Sequence, residues 1–148
     1  MTAHLERQTA LITGGSSGIG YELAQRFVGN GYRVILVARG LAALEKAQRD
    51  LNRNPSAPVI VIQKDLAAPG VARELFDELQ RTGVEVDVLV NAAGFWTYGM
   101  FAETDLAQEL AMIQVNVVTL TALTKLFLQP MVRKGQGRIL NVASTAAF

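Results

Sequence analysis

The 148-residue sequence predicts an α/β fold, a doubly wound parallel sheet of five strands, and three observations carry that prediction. Short β-branched runs alternate with amphipathic helical stretches along the chain. The breaks between them are short and rich in glycine, asparagine or proline. Four polar or glycine-rich clusters, TGGSSGIG, ARG, KDLA and NAAG, stand where strand-like runs end. Such alternation implies parallel βαβ units with right-handed crossovers and helices on both sheet faces. Ligands of these sheets bind beyond the carboxyl ends of the strands, so the four clusters should converge on one crevice.

The first strand is QTALIT, Gln8 to Thr13. A helix follows the glycine cluster, with Ile19, Leu23 and Phe27 at four-residue spacing, and stops at GNG, Gly29 to Gly31. RVILVA, Arg33 to Ala38, is a continuous apolar run typical of a strand buried on both faces. Leu41, Leu44, Gln48 and Leu51 line one side of a second helix, which NRNPSAP breaks. VIVIQ, Val59 to Gln63, is the third strand. Val71, Leu75, Phe76 and Leu79 mark a third helix, and VDVLV, Val86 to Val90, a fourth strand. After NAAG comes an aromatic loop, FWTYGMF. A long apolar helix then covers roughly Leu106 to Arg133. Its Val115, Val117, Val118 and Thr119 are poor helix formers in isolation, so it needs tertiary burial. A kink is expected near Asn116 or before Pro130. GRILNVAS supplies the fifth strand.

Composition narrows the function classes. Half the residues are hydrophobic and 18% are charged, as in a globular protein. A formal net charge of +1 argues against a nucleic-acid or acidic-membrane surface. The chain has no cysteine, which excludes disulfides, thiol catalysis and thiolate metal sites, and fits a cytoplasmic protein. The N-terminus does not read as a signal peptide. No apolar stretch reads as long and charge-free enough to span a bilayer. The one histidine, His4, precedes the first strand and reads as a solvated terminal residue. A serine–histidine nucleophile, a carboxylate pair and a metal site all lack a convergent set of residues.

Gly14, Gly18 and Gly20 are spaced G-x-x-x-G-x-G between the first strand and the first helix. Glycines there allow a tight turn, bare backbone against a pyrophosphate, and a helix N-terminus aimed at anionic charge. Ser16 and Ser17 add hydroxyl donors. A glycine-rich turn without a ligand is the other reading.

TGGSSGIG, NAAG, Asn116 in QVNVV, and GRILNVAS, in this order, resemble the classical short-chain dehydrogenase/reductase family over the whole chain. The resemblance implies a Rossmann-type sheet, a nicotinamide cofactor and carbonyl/alcohol interconversion by an Asn, Ser, Tyr and Lys set. Gly14, Ser16, Ser17, Gly18, Ile19 and Gly20 match the family's pyrophosphate loop. Asp65 matches the residue that binds the adenine amino group, with Leu66 supplying backbone. A helix N-cap is the alternative role for Asp65, and the two can coexist. Asn91, Ala92, Ala93 and Gly94 match the family's Asn-Asn-Ala-Gly stretch beside the adenosine ribose, with Ala92 in place of an asparagine.

In a Rossmann unit, an acidic residue near the end of the second strand binds the ribose 2′-hydroxyl and selects NAD. VARG offers no acid there, and Arg39 stands beside the position. A guanidinium can pair with a 2′-phosphate and stack on the adenine, so NADP(H) is favoured over NAD(H). An ordinary surface arginine is the alternative.

Asn116 lies in an apolar helical run, where a buried amide must be hydrogen-bonded. The resemblance has it shape a helix irregularity and a water-linked proton path; a structural core amide is the other reading. Ser144 matches the serine that holds the substrate oxygen. Thr145 is a competing hydroxyl one residue on. The family's Tyr-x-x-x-Lys pair should follow the serine, and no tyrosine among these 148 residues has a lysine four residues later. Residues 1–148 are therefore expected to form an incomplete NAD(P)-binding domain, truncated after the fifth strand and inactive alone. A naturally truncated, non-catalytic nucleotide-binding or interaction module is the alternative. The resemblance also implies a small-molecule carbonyl or alcohol substrate and a homo-oligomer when complete. Phe95, Trp96, Tyr98 and Phe101 point to an apolar substrate, or equally to core cover.

Overall fold

A computed structural model describes residues 7–52 and 58–144, so His4 and Thr145 lie outside the described residues. The chain runs β1 (Thr9–Thr13), α1 (Gly18–Gly29), β2 (Arg33–Ala38), α2 (Leu41–Leu51), β3 (Val59–Gln63), α3 (Val71–Arg81) and β4 (Val88–Asn91). It continues through α4 (Leu106–Ile113), a π-helical stretch (Gln114–Thr119) and α5 (Leu120–Lys134) to β5 (Arg138–Asn141). The second and third strands keep the predicted limits; the first, fourth and fifth are shorter than predicted.

All pairings are parallel, and the strand order is β3-β2-β1-β4-β5. The chain builds outward from β1 to β3, then returns to lay β4 on the other side of β1. That reversal makes a topological switch point, and the carboxyl ends of all five strands share one edge. The result is the expected doubly wound, Rossmann-type sheet.

Every residue of β1 is buried because alternate side chains enter different cores. Leu11, Ile35, Val37 and Leu89 pack with α3 and α5 through Leu75, Leu79, Leu123 and Phe127. Ala10, Ile12, Val34, Leu36 and Val90 pack with α1 and α2 through Ala24, Val28, Leu44 and Leu51. At roughly 25 cal/mol per Å² of apolar surface removed from water, these two layers are the main stabilising term.

Three readings are corrected. In α1 the fully buried stripe is Gly20, Ala24 and Val28, not Ile19, Leu23 and Phe27. Ile19 is 61% exposed, while Leu23 and Phe27 flank the core. The sheet accepts the small residues because they let helix and strand backbones approach closely. In α2, Ala47 joins Leu44 and Leu51 in the core, and Leu41 is exposed. The 29-residue helix from Leu106 to Lys134 is, by length and composition, able to cross a membrane, its most apolar 18-residue window having a mean hydropathy of 1.5. On it Leu123, Phe127 and Met131 are buried in the core, while 22% of that window is buried overall.

Candidate functional site

The described residues enclose a crevice of ≈ 440 Å³ at the carboxyl edge of the sheet. Gly14, Ser16, Ser17, Gly18, Ile19 and Gly20 form one wall, between β1 and α1. Arg39 lies at the end of β2, Asp65 and Leu66 after β3, and Ala92, Ala93 and Gly94 after β4. The four clusters thus meet, as parallel strands with a common carboxyl edge require.

The glycine loop is built for close approach. Gly14 has φ +67, and a Cβ there would lie 2.8 Å from the Ala93 backbone. A Cβ on Gly20 would overlap the Gly14 carbonyl oxygen. The Gly14 N–H donates to the Val37 carbonyl at 2.8 Å, which fastens the loop to β2. Gly18 opens α1 with φ +54 and has nothing within 4 Å of its Cβ position. Ser17 is the N-cap, but its side chain makes no capping bond. The first N–H groups of a 12-residue helix therefore lack a side-chain acceptor and stand beside bare backbone. This cradle fits a phosphate-bearing group.

Sequence reasoning missed Thr13 as part of the site. It is 2% exposed, and its Oγ1 accepts the Ala92 and Ala93 N–H groups, each at 3.2 Å. Its hydroxyl donates to the Val90 carbonyl. One side chain on β1 thereby holds the backbone of NAAG against the glycine loop. Its place as the first letter of TGGSSGIG was the available signal. Phe95 and Val115 also line the crevice.

At the second strand, the Arg39 carbonyl accepts from Gln63 Nε2 at 2.9 Å, so its backbone is tied to β3. Its exposed guanidinium lies 5.8 Å from the centroid of the Phe95 ring across the crevice. No acidic side chain belongs to the lining at the end of β2. At the third strand, Asp65 Oδ1 accepts the Ala67 N–H at 3.0 Å. Asp65 caps this turn and not α3, whose N-cap is Gly70. Next to it, the Lys64 ammonium pairs with Glu74, and with Glu78 at 3.0 Å. Its hydrogen bonds to the Glu74 and then the Glu78 carboxylate raise its pKa above the ordinary 10.5.

Asn116, Asn91 and Ser144 are not among the lining residues. Asn116 is exposed, against the expectation of a buried amide, yet both ends of its amide are bonded to the Phe95 backbone. Its Nδ2 donates to the Phe95 carbonyl at 2.8 Å, and its Oδ1 accepts the Phe95 N–H at 3.2 Å. It stands inside the π-helical stretch, which is the irregularity expected near it. Asn91 is buried and faces away from the crevice contacts: its Nδ2 donates to Asn141 Oδ1 at 2.9 Å and to Thr124 Oγ1 at 3.1 Å. Ser144 is exposed beyond the end of β5.

The family described as short chain dehydrogenase matches residues 8–148. A Drosophila melanogaster protein named dehydrogenase/reductase SDR family protein 7-like is 36% identical over 143 residues, covering 95% of this chain and 44% of its own length. Two solved structures are similar, each with a TM-score of 0.87. A short-chain dehydrogenase from Sphingobium yanoikuyae in complex with NADPH is 32% identical over 95% of this chain and 55% of its own. The bulky-bulky ketone specific alcohol dehydrogenase from Comamonas testosteroni is 29% identical over 95% of this chain and 56% of its own. The chain thus spans about half the length of the relatives it matches.

Proposed function

Because the chain belongs to the short chain dehydrogenase family, we propose that it is the cofactor-binding part of an NADP(H)-dependent oxidoreductase acting on a carbonyl or alcohol. The observation that carries this reading is the shared crevice of the glycine loop, Arg39, Asp65–Leu66 and Ala92–Gly94. The NADPH complex of the Sphingobium relative supports the same choice.

The nicotinamide, when bound, supplies or accepts the hydride. The chain's own residues bind and orient. The glycine loop and the uncapped start of α1 would hold the pyrophosphate. Asp65 and Leu66 would hold the purine, and the backbone of Ala92 to Gly94 would face the ribose. Arg39, whose guanidinium is exposed at the end of β2, would hold the 2′-phosphate by a charge-assisted hydrogen bond. Asn116 fixes the peptide groups around Phe95 and with them the wall next to the reacting end. Ser144 holds the substrate oxygen by a hydrogen bond that strengthens as charge develops. The Tyr-x-x-x-Lys pair has no counterpart within these 148 residues, so the proton step is assigned to none of them. The chain by itself is expected to bind the nucleotide without turnover. The exposed aromatics Trp96, Tyr98 and Phe101 favour an apolar substrate.

Calorimetric titration with NADPH and NADH tests the reading. NADPH should bind more tightly, and Arg39→Asp should weaken NADPH by ~1.5–3 kcal/mol while leaving NADH nearly unchanged. Equal affinities for the two nucleotides in the unmodified chain would remove the Arg39 assignment.

A further inference from the structure

The π-helical stretch organises a second wall of the crevice besides the one that Asn116 holds. Gln114 and Thr119 are its first and last residues. In an α-helix, residues five apart diverge by about 140° around the axis. The wider i→i+5 turn of a π-helix returns them to one face. Gln114 Nε2 accordingly donates to Thr119 Oγ1 at 3.1 Å, and Thr119 Oγ1 donates to the Leu66 carbonyl at 2.8 Å. Thr119 is 2% exposed. Its oxygen accepts from Gln114, so its single proton is committed to Leu66.

The other half of the same peptide unit, the Ala67 N–H, donates to Asp65 Oδ1 at 3.0 Å. The Leu66–Ala67 peptide is therefore held from both sides, by a helix hydroxyl and by the Asp65 carboxylate. Asp65 and Leu66 are the crevice wall after β3. We propose that Thr119, oriented by Gln114, is a positioning residue for the purine end of the nucleotide site. It holds the Leu66–Ala67 peptide, and through it the Asp65 carboxylate, where the edge of a purine meets them. The inference rests on the nucleotide-site reading above. Loss of the hydroxyl leaves the Leu66 carbonyl without its donor and lets the peptide, and the carboxylate bonded to it, rotate.

Thr119→Val keeps the shape and removes the hydroxyl; Thr119→Ser keeps the hydroxyl. The 148-residue chain and both variants are titrated with 2′,5′-ADP, which carries the adenosine end, and with reduced nicotinamide mononucleotide. The 2′,5′-ADP Kd should rise about tenfold in Thr119→Val and return to within about twofold in Thr119→Ser, with the mononucleotide Kd shifting less than about twofold. An unchanged 2′,5′-ADP Kd in folded Thr119→Val overturns the inference. Equal weakening of both fragments, with a lowered Tm, also overturns it, because that is what a role confined to the core produces. Should Thr119→Val not fold, Gln114→Leu carries the same comparison, with an expected rise of about threefold for 2′,5′-ADP alone. No rise in that variant overturns the inference too. A wild-type chain that binds no 2′,5′-ADP removes the nucleotide reading and this inference together; one that binds it while the variants do not differ removes the inference alone.

Discussion

Thr13 makes three hydrogen bonds with one hydroxyl, joining β1 to the Ala92 and Ala93 amides and to the Val90 carbonyl. A β-branched valine would fill the same space and leave those groups without a partner next to the sheet. Thr13→Val should therefore cost ~1–3 kcal/mol of stability, with most of it regained in Thr13→Ser. Urea unfolding measures this directly, and an unchanged midpoint in Thr13→Val would show that the bridge contributes nothing. The chemistry of single residues was partly legible beforehand. Gly14, Gly18, Gly20, Arg39 and Asp65 line one crevice, the convergence that their places at strand ends predict. Asn91 was not legible: the same four-letter run that sends Ala92, Ala93 and Gly94 to the crevice sends the Asn91 side chain to Asn141 and Thr124. Asn91 is the last residue of β4, where the alternation of the strand still governs direction.

At the scale of elements, β3 and α3 are locked by a cation. Lys64 follows β3 and reaches Glu74 and Glu78, which are one helical turn apart on α3. Glu74 first, and then Glu78, hold the ammonium form, so the folded pKa lies above the ordinary 10.5 of the unfolded chain. The folded state thus binds this proton more tightly. Its contribution is fully present below about pH 10.5 and is lost as pH rises through the elevated folded value. Thermal unfolding of wild type and Lys64→Met should differ at neutral pH, and the difference should shrink above about pH 10.5. A difference independent of alkaline pH would mean that the pair is not coupled to folding. The long helix shows a second element-level effect. Val115, Val117, Val118 and Thr119 disfavour a regular helix, and the chain answers with a π turn at 114–119. Pro130 sits inside α5, and the helix irregularity expected near Asn116 is the π-helical stretch that contains it.

Over the whole molecule, the same helix leaves an apolar stripe uncovered. Leu106, Leu110, Ile113 and Val117 are 65%, 56%, 47% and 56% exposed, at alternating four- and three-residue spacing on one side. Trp96, Tyr98, Met100 and Phe101 add exposed apolar surface in the loop before it. Patches of this kind drive association. The chain is expected to self-associate, with a sedimentation coefficient that rises with concentration, and Leu110→Gln with Val117→Gln should reduce that rise. A chain that stays monomeric at high concentration without those substitutions would contradict the expectation.

The order of the elements, and the type of all but the stretch at Gln114–Thr119, were set by the sequence alone, because hydrophobic period and glycine breaks act between near neighbours in the chain. The glycine cradle was legible for the same reason, its parts lying within a few residues. What only the tertiary structure decided lies across long sequence separations. Thr13 meets residues 79 and 80 positions away, Asn116 meets Phe95 at 21, and Thr119 meets Leu66 at 53. The buried stripe of α1 belongs to this class as well. Which of its faces turns inward depends on how closely the sheet lets the helix approach, and Gly20, Ala24 and Val28 win that contact by being small enough to fit it.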